Sequence, residues 1–63
     1  MTFPQTVIAL LITEHGQTRE GAELLVKSFP QVIVNGMMGM NYRATAMALM
    51  VKLSGTEWSN ENV

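Results

Sequence analysis

Wound as a helix, the segment from Tyr42 to Leu53 is apolar over nearly its whole circumference. Tyr42, Ala46, Leu49, Met50 and Leu53 form one stripe, and Ala44, Met47, Ala48 and Val51 fill most of the rest. Only Arg43, Thr45 and Lys52 are polar. A helix of that kind has to be enclosed, and a chain of 63 residues has three other short segments with which to do it. They leave a strip of the helix uncovered, and that strip is expected to meet another chain.

Composition points the same way. Hydrophobic residues make up 48% of the chain and charged residues 14%, against about 25% charged in ordinary soluble domains. A folded chain of 7.0 kDa keeps about 4,000 Å² accessible of about 10,000 Å² when extended. The apolar part of the buried area contributes on the order of 90 kcal/mol. Ordering the residues at about 1.5 kcal/mol each costs a similar amount, so an isolated monomer sits near zero net stability. Small domains offset this with disulfides, a structural metal or oligomerisation. The chain has no cysteine and a single histidine, His15, so oligomerisation or folding onto a partner remains, and a homodimer is expected.

Other classes are disfavoured by charge and hydropathy. The net charge is −1, and the four basic residues, Arg19, Lys27, Arg43 and Lys52, are scattered. They leave no electrostatic footprint for nucleic acid and no basic tail for an anionic membrane surface. The longest apolar run, Val7 to Ile12, is far short of a spanning helix, and no cationic segment precedes it as in a secretory signal. A cytoplasmic location is expected, with no cofactor and no membrane partner.

Local signals divide the chain into short helices. Thr2 caps a first helix, with Pro4 in its first turn and Gln5 completing a capping box. Val7, Ile8, Leu11 and Ile12 share a face, widened by Leu10, until Gly16 offers a left-handed stop, which bounds this helix at Pro4 to His15. Thr18 caps a second helix from Arg19, with Ala22, Leu25, Val26 and Phe29 inward and Glu23 and Lys27 as an i,i+4 ion pair. Pro30 ends it near Ser28.

Residues 31 to 35 are ambiguous. Val32, Ile33 and Val34 before Asn35-Gly36 read as a strand and turn, or as a short buried helix capped by Ser28 with Pro30 in its first turn. The helix is preferred, because a lone strand has no partner here unless one comes from a dimer. A weak repeat agrees with it: Thr2-Phe3-Pro4-Gln5 recurs as Ser28-Phe29-Pro30-Gln31, and Leu24-Leu25-Val26-Lys27 as Leu49-Met50-Val51-Lys52. Asn41 caps the last helix, Tyr42 to Leu53, which stops at Ser54-Gly55.

The chemistry of catalysis is poorly represented. There is no Asp and no Cys, and Glu14 stands beside His15 in sequence, a poor position from which to orient it. A triad would need Ser28, Ser54 or Ser59 to converge on that histidine. His15 is read instead as a favourable cation at a helix C-terminus, and no catalytic or metal-ligating residue is assigned. Gly36-Met37-Met38-Gly39 has the G-x-x-G spacing of a nucleic-acid clamp, but methionines stand where such a loop needs cations nearby. The glycines are read as allowing a tight connection and close approach of the last helix.

Methionine carries the most unusual signal. Met37, Met38, Met40, Met47 and Met50 fall within one short window, whereas the rest of the chain has only Met1. Flexible, polarizable methionine suits surfaces that repack around a partner. Together with Tyr42 and with Trp58, an anchor-type residue in the tail, they form the candidate partner-binding set. Met38-Gly39-Met40 followed by Ala48-Leu49 resembles the M-G-F/Y turn and first helix of ubiquitin-associated domains, with Asn60 to Val63 similar to the loop before their next helix. The likeness covers under half of the chain, Met40 stands where the family has an aromatic, and no function is carried over from it.

The sequence therefore predicts an all-α fold of three to four short helices in two helical hairpins. Residues 1–55 form one domain and 56–63 a polar tail. The expected function is a non-enzymatic protein-interaction module, a small adaptor or inhibitor of the kind frequent among phage and mobile-element accessory proteins by size and composition alone. The alternative is a small dimeric regulator in which helix 2 and the next helix imitate a helix-turn-helix and Arg19, Lys27 and Arg43 reach phosphates.

Overall fold

The computed structural model describes residues 1–39 and 41–54. Among them are four helices and no strand: α1 (Phe3–His15), α2 (Arg19–Ser28), α3 (Pro30–Gly39) and α4 (Tyr42–Ser54). The all-α expectation holds, and the ambiguous apolar run at 32 to 34 is helical. None of these helices is long and apolar enough to cross a membrane.

Helix boundaries follow the local chemistry of the chain. The Thr2 hydroxyl accepts from the Gln5 N–H at 3.3 Å, while the Gln5 side chain accepts from the Thr2 N–H at 3.1 Å, a reciprocal capping box. At the other end of α1, Gly16 adopts φ 71°, and the Gln17 N–H closes on the Leu11 carbonyl at 3.0 Å. Thr18 caps α2 through the Gly21 N–H at 3.0 Å, and Asn41 caps α4 through the Ala44 N–H at 3.0 Å. Each cap satisfies a backbone donor that the first helical turn leaves unpaired.

The junction of α2 and α3 differs from expectation. Ser28 is the last residue of α2, and it does not cap α3; Phe29 alone separates the two helices, at φ −129° and ψ 64°. The Phe29 N–H still closes onto Leu25, and its carbonyl already accepts from Val32 at 3.1 Å. Proline tolerates this position because the first residue of a helix needs no N–H. On α2 the ion pair also shifts by one turn. Glu23 faces Arg19 at 4.0 Å, an exposed i,i+4 contact, in place of the expected Lys27.

Val7, Leu11, Ala22, Leu25, Ile33, Ala46 and Leu49 form the buried core, with Phe29, Val32, Met50 and Leu53 among the side chains packed on it. Helix α4 packs chiefly on α1 and α3. Two contacts define how it crosses α1. The Phe3 and Tyr42 rings stack with centroids 4.9 Å apart, while Arg43 reaches Glu14 at 3.6 Å. Phe3 and Glu14 are about 16 Å apart along the α1 axis, a span bridged from adjacent residues of α4. Tyr42 and Arg43, in the first turn of α4, thus reach toward opposite ends of α1.

The repeated segments occupy different environments. Leu49 is fully buried where its counterpart Leu24 is exposed, and Phe3 begins α1 whereas Phe29 precedes α3.

Candidate partner-binding surface

Helices α3 and α4 carry most of the candidate residues, and their relative placement depends on one glycine. A Cβ built on Gly36 would overlap the Thr45 hydroxyl, and would lie 2.9 Å from the Thr45 Cβ and 3.0 Å from the Phe3 ring. Only glycine admits this approach. The G-x-x-G segment lies inside α3 and not in a loop, so the connection to α4 is confined to residues 40 and 41. The expected close approach of the last helix is present, made from within a helix.

Thr45 is the second departure. Counted among the polar exceptions on α4, it is 3% exposed. Its hydroxyl is satisfied locally, donating to the Asn41 carbonyl at 2.7 Å. A buried threonine one turn into a helix can do this without an outside partner, and its small size lets Gly36 sit against it.

The candidate side chains are not brought together into one patch. Met38 is 81% exposed and Met47 60% exposed, with Met37 also exposed. Tyr42 is 38% exposed while its ring stacks on Phe3. Met50 is half-buried against the core, so it contributes to packing. Met40 and Trp58, and the 56–63 tail, lie outside the described residues. At about 100° per residue, Met37 lies on the side of α3 opposite to Asn35 and Gly39, whereas Met38 lies beside Asn35, about 60° from it. Asn35 and Gly39, with Val32 and Gly36, face α4 across a shallow groove of about 280 Å³.

Beside the groove, α4 presents an outward strip that the candidate set missed in part. Ala44, Met47, Ala48 and Val51 follow the spacing i, i+3, i+4, i+7, which places them on one face. Val51 is 62% exposed, and the strip carries no charge between Arg43 and Lys52. The signal was in the sequence as this second period-3.6 pattern on a helix that already had one. Ala44 and Ala48 also line the groove, next to Gly36 and Thr45. Three of the groove's side-chain oxygens are engaged within the chain: Asn35 accepts from the Gln31 amide, the Asn41 side-chain oxygen caps α4, and the Thr45 hydroxyl donates to the Asn41 carbonyl.

A second cleft, about 290 Å³, lies between α1 and α2, with Ile8 and Ile12 on one wall and Arg19 and Glu23 on the other. Elsewhere the charged groups are sparse. Arg43 and Glu14 pair at the surface, and among the described residues no three His or Glu side chains converge as metal ligands. No protein-family model, curated protein or solved structure matches the chain, and the ubiquitin-associated likeness of Met38-Gly39-Met40 is accompanied by no family match.

Proposed function

We propose that the chain is a protein-interaction module that works by covering an apolar surface of a partner, and that it self-associates. The observation that carries this reading is the uncharged outward strip of α4, with Met47 and Val51 both largely exposed. Large apolar side chains exposed singly need no explanation, but a helix-long uncharged strip beside an apolar groove has the composition of an interface core. Met37 and Met38 supply a second, separate apolar flank on α3. Arg19 and Arg43 each stand beside a glutamate, which lowers the positive potential that phosphate binding uses and favours a protein partner over DNA.

Affinity capture from host extract tests this. Wild type and Arg19→Ala should retain the same specific partner, whereas Met47→Glu or Met38→Glu should lose it. Both methionines are exposed, so glutamate there should leave the helical circular dichroism nearly unchanged, and the melting temperature also at concentrations where the wild type is monomeric. Capture that is indifferent to both glutamates would refute the reading. Met50→Glu is a poorer probe, because it would also place a charge against the core.

A further inference from the structure

The geometry points to a second copy of this chain as the occupant of the outward strip of α4, packed with the two α4 helices antiparallel about a twofold axis between Met47 and Ala48. This deepens the interaction reading and rests on it.

Size complementarity is the first argument. An antiparallel pair centred between residues 47 and 48 sets Ala44 opposite the second copy's Val51, and Met47 opposite the second copy's Ala48. Each large exposed side chain then faces a small one, and the two alanines border the groove that would receive its neighbour. A parallel pairing would instead set Met47 against Met47 and Val51 against Val51, leaving the alanines facing each other across a gap.

Charge is the second argument. Helix α4 has no acidic residue in its first turn, and Arg43 stands there, at the positive end of the helix dipole, where a cation is disfavoured; within the chain this is offset by the surface contact with Glu14 at 3.6 Å. An antiparallel neighbour brings its own C-terminal turn, the negative end, alongside Arg43. A twofold axis of this kind joins each flank of α4 to the same flank of the other copy. Arg43 shares its flank with Met50 and Ser54, whereas Lys52 is on the opposite one, at about 100° per residue. No like charges meet. The strip itself buries no charge, and the side-chain oxygens of Asn35, Asn41 and Thr45 beside it already have partners within the chain.

One short helix face is a small part of the roughly 800 Å² per partner of a standard interface. The groove wall of α3 has to join it, and a micromolar dimer is the expectation.

The chain has no cysteine, so single-cysteine variants report orientation cleanly. Ala44→Cys and Val51→Cys, mixed at a concentration where light scattering gives a dimer mass and then oxidised, should form the 44–51 disulfide about tenfold over either like pair. Predominance of like pairs overturns the antiparallel arrangement. In parallel, Met47→Glu should weaken the dimer at least about 100-fold with its helix signal retained, and Met38→Glu should leave it intact. A dimer that survives Met47→Glu and is lost with Met38→Glu overturns the α4 face while leaving an interaction module. A wild-type chain that is monomeric at every concentration also overturns the self-pairing; the broader reading then stands or falls on partner capture.

Discussion

Gly36→Ala is the substitution that most directly probes how α3 and α4 are joined. The new methyl would overlap the Thr45 hydroxyl and crowd the Thr45 Cβ at 2.9 Å and the Phe3 ring at 3.0 Å. Thr45 has little freedom to yield, because it is buried and its hydroxyl is held by the Asn41 carbonyl. Overpacking of this kind costs about 1–3 kcal/mol. Alanine returns about 0.5–1 kcal/mol of helix propensity, so the net is a destabilisation of about 1–2 kcal/mol. In a domain of this size each kcal/mol moves the melting temperature by about 4–8 °C, and a drop of roughly 5–15 °C is expected in a circular dichroism melt. Gly39→Ala is the control. Its built Cβ meets nothing within 4 Å, and its backbone is not left-handed, so the melt should stay level or rise. Combining Gly36→Ala with Thr45→Ala should recover about 1 kcal/mol relative to the sum of the single effects. A Gly36→Ala protein that melts at or above wild type would refute the close crossing.

Other substitutions separate local from tertiary contributions. Gly16→Ala forces alanine into φ 71° and should cost about 1–2 kcal/mol in urea unfolding. Thr18→Ala removes the hydroxyl that accepts from Gly21 and should cost about 1 kcal/mol, read as a lower urea midpoint at unchanged slope. Leu11→Ala empties a fully buried position; the loss of about 2–5 kcal/mol should broaden the amide proton spectrum or abolish the cooperative melt. Arg43→Ala breaks an exposed pair with Glu14 and should change stability by less than about 1 kcal/mol, shrinking further in high salt.

The helix boundaries were readable from sequence because the signals are short-range. Thr2 with Gln5, Gly16, Thr18 and Asn41 each act on donors or acceptors within a few residues, so no knowledge of the rest of the chain is needed. The α2–α3 junction was harder: Ser28 reads as a cap from sequence, yet α2 runs through it, the Phe29 N–H still bonding to the Leu25 carbonyl, so that Phe29 alone separates the two helices. The candidate surface was legible in outline. Methionine clustering put Met38, Met47 and Met50 in one candidate set without separating exposed Met38 and Met47 from Met50, which packs on the core, and without showing that Ala44 and Val51 complete the outward strip. On a helix apolar nearly all round, the sequence pattern does not say which side faces inward.

Sequence by itself determined where α1, α2 and α4 begin and end and that α4 is apolar nearly all round; that residues 30–39 form one helix it leaves open between helix and strand. Only the tertiary structure decided which surface stays open. Asn35-Gly36 carries the local signal of a turn, and Thr45 reads as a solvent-facing polar residue, yet the two helices meet at Gly36 and Thr45. The reason is that a missing Cβ and a self-satisfied hydroxyl matter only when another helix arrives to use the space. That contact rotates α4 so that Thr45, Ala46 and Leu49 turn inward and Met47 and Val51 face out.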